Sequence, residues 1–380
     1  MAKKFKRKKL IQSPAQSIPQ MEPWFDEAES VAVYKYMQSG GWGMEFMRTR
    51  ELEKMIADYI GAKYCAMTIN GTISLSIAFL ALGLKAGDEA IVPDLTMIAT
   101  ANAAALLGIK PVFVDVEPTT LCIDIAKAKQ KMTKRTKAIV YVDFNGRSGN
   151  MKDVVKFCRD NQLFLVEDAA QALGSFWQGR HLGTFGDIGS FSLSAPKIIT
   201  TGQGGILVTD NQKYFEKICR IKDFGRIKGG IDIHDDWGWN FKYTDIQAVI
   251  GIEQMKKLPW RVKKKKEIFA KYKEGLKNIR EIKFLETDLS DTCPWFIDVF
   301  VSDPVQLSKF LNEQQIGTRR IYPPVSSQKI YKSSGNSSQF PTAEKYASRG
   351  LWLPSSSRLT DKEIDIVVGY IKRYYTSKQH

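Results

Sequence analysis

The chain has 380 residues, of which 43% are hydrophobic, and a formal net charge of +15. This length exceeds one typical domain, and the apolar content is sufficient for one sizeable core or two unequal ones. No uninterrupted apolar stretch is long enough to span a bilayer, and the basic N-terminus lacks the apolar segment of a secretory signal. We therefore expect a globular, cytoplasmic protein that has no membrane as a partner.

Cysteine and histidine usage disfavours a metal centre. The three histidines lie far apart in sequence, and the five cysteines form no close pair with metal-ligand spacing. The residues concerned are Cys65, Cys122, Cys158, Cys219, Cys293, His181, His234 and His380. We expect buried, reduced thiols and no metal.

Much of the positive charge lies in two runs, at residues 3–9 and 263–266. Such runs can hold the phosphates of nucleic acid or of a small anionic substrate. No aromatic-studded basic motif accompanies either run, so a disordered tail and a solvated helix face are the preferred interpretation. We therefore expect no nucleic-acid partner, and a nucleic-acid or membrane-surface role of the tail is the minor alternative.

Between residues 51 and 208, helical patterns alternate with short apolar runs rich in β-branched residues. This alternation is typical of βαβ units around a mostly parallel sheet. Continuous apolar runs suit strands buried on both faces, and they lie at 90–92, 110–114, 138–142, 163–166, 188–193 and 205–209. Helices are predicted at 74–82, 97–107 and 153–161. The fold class is therefore α/β, with helices flanking the sheet.

After Tyr243 the pattern changes to long polar helices, predicted at about 245–258 and 260–276. Two strands, near 282–285 and 295–301, and a final helix from Asp361 onward follow. We expect three parts: a basic tail at 1–17, a large domain with an N-terminal arm at 18–255, and a smaller α+β C-terminal domain at 256–380.

Lys197 stands between an apolar strand and the glycine-rich turn at 200–205. A desolvated lysine amine near cationic groups has a lowered pKa and becomes nucleophilic. Covalent attachment to an aldehyde cofactor explains a lysine at this position. Taken alone, a surface lysine in a loop is the simpler interpretation.

Glu167 and Asp168 directly follow the apolar run at 163–166. Carboxylates at the C-terminal end of a parallel strand face the crevice where α/β folds bind ligands. An acid there can keep the pyridine nitrogen of pyridoxal phosphate (PLP) protonated, so that the ring withdraws electrons. A helix N-cap is the alternative interpretation of Asp168.

Asn70, Gly71 and Thr72 precede a predicted helix. The free N–H groups and the positive end of a helix can hold a phosphate, although Asn-Gly-Thr is also an ordinary turn and cap. Together with Lys197 and Asp168, this segment supplies an amine, an acid and a phosphate site, which is the minimum set for PLP.

With these motifs the chain resembles the DegT/DnrJ/StrS sugar aminotransferases, which share the aspartate-aminotransferase type of PLP fold, fold type I. The resemblance runs from about residue 18 to the last helix, so it covers nearly the whole chain. Further matching segments lie at 92–93, 96, 99–100, 111–116, 239–242, 245–248 and 322–324. The resemblance implies that the large domain binds PLP.

The resemblance implies that Lys197 carries the cofactor as a Schiff base and moves the proton during amino transfer. Asp168 would pair with the pyridinium nitrogen, and Gln171 would lie on the side of the phenolic oxygen. Phosphate contacts are expected from Gly71, Thr72 and Ser192. Asn240 of a neighbouring subunit would also reach the phosphate, so a homodimer with shared active sites is expected.

Several positions depart from the pattern of the family. Met97 stands where an aromatic ring usually stacks on the cofactor, and Lys242, a candidate substrate contact, stands where arginine is frequent. Asp143 and Asn145 replace a histidine and a tyrosine, and they either shape the sugar pocket or reflect lineage. Sugar-nucleotide contacts are expected from Arg319, Arg320 and Tyr322, with a solvated arginine pair as the alternative.

The resemblance implies transfer of an amino group from glutamate to a nucleotide-linked 4-keto-6-deoxy sugar. The product would be a 4-amino-4,6-dideoxy sugar of the perosamine or viosamine type, as residues 145–148 and 167–175 suggest. Family members with histidine in place of Lys197 act as dehydratases, so the lysine favours transamination. The alternatives are amination of a 3-keto nucleotide sugar and a non-catalytic regulatory or binding protein that keeps the fold.

Overall fold

The computed structural model describes residues 17–332 and 339–377. In chain order, the strands are β1 (Tyr64–Thr68), β2 (Glu89–Pro93), β3 (Lys110–Val114), β4 (Thr136–Val142), β5 (Phe164–Asp168), β6 (Phe176–Trp177), β7 (Arg180–His181), β8 (Ile188–Ser192), β9 (Gly205–Thr209), β10 (Ile297–Phe300), β11 (Arg319–Arg320) and β12 (Gly350–Leu353). The strands predicted at 110–114 and 205–209 coincide with β3 and β9, and the four others predicted before residue 210 differ by one or two residues at their ends.

The helices connect and cover these strands. They are α1 (Glu27–Gln38), α2 (Met47–Ile60), α3 (Gly71–Ala81), α4 (Ala99–Ala105), α5 (Ile125–Lys131), α6 (Met151–Asp160), α7 (Gln212–Lys222), α8 (Asp245–Leu276), α9 (Pro304–Glu313), α10 (Pro341–Arg349) and α11 (Asp361–Ser377), with 3₁₀ turns at Phe144–Gly146 and Val325–Ser327. The helix α3 begins three residues earlier than predicted because the Asn70 side chain caps it by accepting a hydrogen bond from the Ile73 N–H at 2.9 Å.

Seven strands form the main sheet in the order β1-β9-β8-β5-β4-β2-β3. The strand β9 runs antiparallel to both of its neighbours, and the other neighbouring pairs are parallel. Apolar residues fill β2 and β4 almost without interruption because helices cover both faces of the sheet. The predicted α/β class with a mostly parallel sheet is confirmed.

The helix α8 is one continuous helix of 32 residues, so the prediction of two helices that meet at Pro259 is wrong. A proline inside a helix removes one main-chain hydrogen bond. Packing on both sides of Pro259 offsets this loss, because Met255 and Leu258 enter the core around the main sheet and Ile268 and Phe269 enter a second core.

The second core surrounds an antiparallel sheet in the order β10-β12-β11, packed with α9, α11 and the C-terminal half of α8. The strand predicted at 282–285 is wrong, because only Lys283 pairs there, in an isolated bridge with Phe300. The division of the chain at 255/256 stays a prediction, and α8 runs through it. Of the predicted basic tail, residues 1–16 lie outside the described residues.

The expectation of a solvated face at 263–266 is wrong for Lys265, which is fully buried. Its ammonium group donates hydrogen bonds to the carbonyl oxygens of Trp295, at 2.7 Å, and of Ser355. Burial lowers the pKa of Lys265 to about 7, because the charged form is poorly solvated there. One lysine of the run therefore stabilises the interior contacts of α8.

The five cysteines are all unpaired thiols, and Cys219 alone among them is partly exposed. The expectation of reduced thiols therefore agrees with the structure. In the described ranges, no helix combines the length and the apolar character that a membrane crossing requires.

Candidate active site

The carboxyl ends of two parallel strands bring the predicted motifs together. Asp168 is the last residue of β5 and pairs in register with Ser190 of β8, which ends two residues later at Ser192. Lys197 follows in the turn after β8. Because parallel strands end at the same edge of a sheet, the acid and the lysine lie on one side of the crevice.

The Lys197 side chain is half-buried against Trp295. Its amine lies 4.2 Å from the centre of the Trp295 ring, and the indole N–H donates a 2.8 Å hydrogen bond to the carbonyl of Pro196. Trp295 is in turn stacked on Phe296 at 3.8 Å. The sequence did not identify Trp295 as part of the site, because it lies 99 residues from Pro196 and no local motif marks it.

The electrostatic surroundings favour a neutral Lys197. Burial lowers its pKa to about 8, the Asp168 carboxylate opposes this change, and the positive charge of Arg319 lowers the pKa further. A much larger fraction of this amine is therefore unprotonated near neutral pH than for a solvated lysine, and an unprotonated amine is the nucleophilic form.

Two hydrogen bonds hold the Asp168 carboxylate. The Thr100 hydroxyl donates to Oδ2 at 2.7 Å, and the Ala170 N–H donates to Oδ1 at 3.2 Å. Burial raises the pKa of Asp168, whereas Thr100 and the nearby Lys197 counteract this rise. Residues after Asp168 form turns instead of a helix, so the helix N-cap interpretation is wrong.

Thr100 was part of a matching segment, but the sequence assigned it no role. It lies in α4, and its hydroxyl is 2.9 Å from that of Thr96. Thr96 and Thr100 are four residues apart, a spacing that places both hydroxyls on one face of a helix. This spacing is the sequence signal that could have indicated a role for Thr100.

A small cavity lies beside Lys197. It is lined by Ala170, Gln171, Leu173, Ser192, Lys197, Ile198, Cys293 and Trp295. Three of the predicted cofactor residues, Gln171, Ser192 and Lys197, therefore face the same space.

Asn145 fixes the orientation of Gln171. Its N–H donates a 2.8 Å hydrogen bond to Gln171 Oε1, while its side-chain amide pairs with the main chain of Phe296 in both directions, at 2.9 and 2.7 Å. Asp143 is buried, and its carboxylate accepts no hydrogen bond from the residues that the structure describes. Burial and the neighbouring Glu167 and Asp168 raise the pKa of Asp143 well above its usual range.

The start of α3 touches the end of β8. A Cβ atom on Gly71 would lie 3.0 Å from the Cβ of Ser192, closer than ordinary packing allows, so glycine permits this approach. The N–H groups of Gly71 and Thr72 belong to the first helical turn, where no acceptor within the helix exists. The N-terminus of α3 and the Ser192 hydroxyl thus lie together at a place where an anion can bind.

Arg319 and Tyr322 lie near Lys197 and Asp168. The Arg319 guanidinium is 5.6 Å from the Tyr322 ring and 5.5 Å from the Trp352 ring, and the two rings pack edge to face at 4.9 Å. Burial raises the pKa of Tyr322, Arg319 lowers it, and the charge of Asp168 raises it further, so the phenol lies within reach of both charges.

Arg320, also a candidate sugar-nucleotide contact, points away from Arg319 and bonds within the chain. Its guanidinium donates to the carbonyl oxygens of Ala347 and Ser348, at 3.1 and 2.9 Å. The two side chains of β11 point to opposite faces because alternation along a strand separates neighbours. Arg319 alone of the pair faces the site.

The remaining predicted residues are not gathered around Lys197 by contacts within this chain. The Lys242 ammonium forms a 2.6 Å ion pair with Asp223 and lies 4.4 Å from the Phe224 ring. Asn240 is exposed, and Met97 is 44% exposed one turn before Thr100, whose N–H bonds to the Met97 carbonyl. Their predicted roles stay predictions.

The residues present fit PLP. An amine of lowered pKa and the Ser192 hydroxyl line one cavity, the N-terminus of α3 meets that hydroxyl, and a held carboxylate interacts with the amine. The approach of Gly71 to Ser192 requires glycine, because a side chain at position 71 would fill the space between α3 and β8.

Comparisons with known proteins agree with this geometry. The model of the DegT/DnrJ/EryC1/StrS aminotransferase family matches residues 24–372. The chain is 31% identical to GDP-perosamine synthase of Escherichia coli O157:H7 over 95% of this chain and 99% of that protein. It is 32% identical to GDP-perosamine synthase of Caulobacter vibrioides over 84% and 87% of the two chains.

Solved structures agree as well. The crystal structure of the aminotransferase TlmJ from Streptoalloteichus hindustanus superimposes with a TM-score of 0.89, at 28% identity, over 96% of this chain and 100% of that one. Fold, site geometry and sequence similarity lead to the same conclusion. The chain belongs to the DegT/DnrJ/EryC1/StrS family of PLP-dependent aminotransferases.

Proposed function

We propose that this sugar aminotransferase moves an amino group from glutamate to a nucleotide-linked 4-keto-6-deoxy sugar, giving a 4-amino-4,6-dideoxy sugar. The observation that carries the proposal is the convergence of Lys197, Gln171 and Ser192 on one cavity. The charges of Asp168 and Arg319 act on Lys197 and on Tyr322 beside it. Similarity to two GDP-perosamine synthases over most of the chain supports a GDP-linked substrate.

When bound, PLP supplies the aldehyde that takes the amino group and the ring that withdraws electrons from the reacting carbon. Lys197 attacks as the neutral amine, which its lowered pKa makes available. The same amine, once released, would accept the proton from the substrate α-carbon and would later act as the acid that returns it. One residue therefore serves as nucleophile, base and acid.

Asp168 would keep the ring nitrogen of the cofactor protonated, and hydrogen bonds from Thr100 and Ala170 hold Asp168 in place. Gln171, oriented by the Asn145 N–H, would lie on the side of the phenolic oxygen. Gly71, Thr72 and Ser192 would bind the phosphate through helix N–H groups and a hydroxyl. Met97, two residues before α4, would contact the ring.

Arg319 binds the anionic part of each substrate in turn, either the glutamate carboxylate or the nucleotide diphosphate. An arginine presents several N–H donors in a rigid plane that matches such groups. Its stacking on Tyr322 and Trp352 restricts its direction. Lys242 contributes less to substrate binding, because Asp223 neutralises its charge.

A homodimer completes the site in this proposal. Large apolar side chains are exposed in two segments, 42–47 and 224–239, including Trp237, which is 88% exposed, and Trp42, which is 72% exposed. Apolar patches of this kind mark interfaces. Asn240 adjoins the second segment, so pairing of two copies there would bring Asn240 to the phosphate of the neighbour.

The test is to incubate purified protein with PLP, glutamate and a GDP-linked 4-keto-6-deoxyhexose, and to analyse the sugar nucleotide by mass spectrometry and NMR. An amine at C4 is the expected result. In a parallel incubation with the 3-keto isomer, an amine at C3 favours the alternative substrate. Bound PLP without amino transfer from glutamate favours the non-catalytic alternative. Lys197→Ala is the control that lacks the nucleophile.

Shared sites have a separate test. Asn240→Ala should bind PLP less tightly, and mixing it with Lys197→Ala chains should restore part of the activity, because a mixed dimer retains one site with both native residues. Verified mixed dimers without activity contradict the shared-site proposal.

A further inference from the structure

Asp94 ties the edge of the main sheet to the C-terminal part of the chain. It directly follows β2 and is fully buried. Its Oδ1 accepts a hydrogen bond from the Ser326 N–H at 2.7 Å, and its Oδ2 accepts one from the Ser326 hydroxyl at 2.9 Å. Its carbonyl accepts a third bond, from the Val325 N–H at 2.8 Å. Two consecutive residues of the 3₁₀ turn are thus held by one residue.

The turn lies close in sequence to the substrate side of the pocket. Tyr322 precedes Ser326 by four residues, and Pro323 and Pro324 lie between them. Proline fixes its own φ angle, so this short connection is stiff. The position of Ser326 therefore restricts the positions of Tyr322 and Arg319.

The loop that begins at Asp94 also reaches the cofactor side. Thr96 lies two residues later, with its hydroxyl 2.9 Å from that of Thr100, which donates to Asp168. The Asp94 main-chain N–H donates to Val114 on β3, which fixes the loop to the sheet. The same loop thus connects the segment of Arg319 and Tyr322 with the hydroxyls that hold Asp168.

We propose that Asp94 is a positioning residue for the sugar half of the reaction. Through Ser326 it holds residues 319–326 at the distance from Asp168 and Lys197 that the nucleotide sugar requires. This proposal rests on the proposed function, because it assigns the sugar contacts to Arg319 and Tyr322. Asp94 itself touches neither cofactor nor substrate.

The charge of Asp94 has a characteristic pH range. Burial raises its pKa to about 6, the two Ser326 bonds oppose this rise, and the carboxylates of Asp115 and Glu344 add to it. Lys127 forms an ion pair with Asp115 at 2.8 Å and reduces that contribution. As the pH falls through about 6, Asp94 gains a proton, and its bonds to Ser326 lose their ionised acceptor.

Asp94→Asn tests the proposal, since it keeps the shape of the side chain and removes its charge. We expect the KM for a GDP-linked 4-keto-6-deoxyhexose to rise about tenfold, the loss typical of one charge-assisted hydrogen bond. At saturating glutamate, the rate at which glutamate converts the bound cofactor should stay unchanged, because Lys197 and Asp168 are not altered. The wild-type KM should rise below pH 6 toward that of the variant, whose own KM should not change across this range.

Ser326→Ala removes the same side-chain bond from the other partner and should raise the KM in the same direction. Tyr331→Phe is the matched control, because it removes the 2.7 Å bond from Tyr331 to Asn102, which joins α4 to the chain five residues beyond Ser326. An equal KM for Asp94→Asn and wild type, or an equal rise in Tyr331→Phe, overturns the proposal.

Hydrogen–deuterium exchange gives a readout that needs no substrate. In Asp94→Asn, amides of residues 319–326 should exchange faster, while those of β5 and β8 keep their protection. Unchanged exchange at 319–326 overturns the positioning role even if the enzyme is inactive on the sugar probe. Faster exchange together with a wild type that does not aminate the probe refutes the proposed substrate instead.

Discussion

The two walls of the pocket are built in different ways. On the main-sheet wall, Asp168 and Ser192 end adjacent parallel strands, and Lys197 follows in the next turn. On the other wall, Arg319 and Tyr322 belong to a segment with only two residues of strand, held by ring packing and by the bonds of Asp94 to Ser326. Main-chain register therefore positions the first wall, whereas side-chain contacts position the second.

This difference has functional consequences in the proposed reaction. Both substrates meet the cofactor, so changes on the main-sheet wall should impair both half-reactions. Changes on the side-chain-held wall should affect mainly the binding of substrate. The comparison fails if a change on the main-sheet wall affects only substrate binding, or if a change on the other wall impairs both half-reactions at saturating substrate.

The largest expected effect is that of Lys197→Ala. Removal of the only proposed nucleophile and base should abolish transamination, and the absorbance band of the lysine-bound cofactor should be absent. The measurement is the spectrum with PLP before and after exhaustive dialysis. A band that survives dialysis in this variant would mean that another residue carries the cofactor.

Asp168→Asn is expected to lower the rate of both half-reactions by at least about 100-fold, as loss of one preorganised charge in an active site typically does. PLP should still bind, because the phosphate contacts remain. Thr100→Val removes the hydroxyl that donates to Asp168 at 2.7 Å and should cost about tenfold. Stopped-flow spectra with glutamate measure the rate of the glutamate half-reaction in both variants. An unaltered rate in Asp168→Asn would show that the carboxylate only stabilises the turn after β5.

The main-sheet wall could be predicted from sequence because its signals are local. An apolar run followed by polar residues marks the end of a buried strand, and parallel strands end at a common edge. Lys197, Asp168 and Gln171 were placed in this way together with the family resemblance. Their roles in the reaction are still predictions, whereas the fold and the family are confirmed.

On the other wall, the resemblance indicated Arg319 and Tyr322, but the contacts that position this wall could not be predicted, because residues distant in sequence form them. Trp295 reaches Lys197 from the region before β10, and nothing in residues 293–297 indicates this partner. Asp94 and Ser326 are separated by 232 positions. Continuity of α8 through Pro259 was missed for a similar reason, since two cores that form only in the folded chain stabilise it.

Arg319→Met should raise the KM for glutamate or for the sugar nucleotide about tenfold, because a partly exposed ion pair with substrate is lost. Turnover at saturating substrate should change much less. Arg320→Met is the matched control, since Arg320 donates to carbonyls of the chain instead of facing the pocket. Equal KM values for the two variants would remove Arg319 from the substrate wall.

The smallest expected effect concerns how the rate of PLP attachment to Lys197 depends on pH. Charged residues of both walls influence this rate. Only the neutral amine attacks the aldehyde, so the rate of attachment to cofactor-free protein should rise about tenfold per pH unit and level off above pH 8, where Lys197 is neutral. Nα-acetyl-lysine is the control, because its solvated amine should show no plateau until well above pH 8.

Each wall should move this plateau in a different direction. The positive charge of Arg319 lowers the pKa of Lys197, so Arg319→Met should shift the plateau to higher pH. The negative charge of Asp168 raises that pKa, so Asp168→Asn should shift it to lower pH. Arg320→Met should leave it in place. Shifts of the same sign in Arg319→Met and Asp168→Asn would mean that packing changes, and not these two charges, set the reactivity of the lysine.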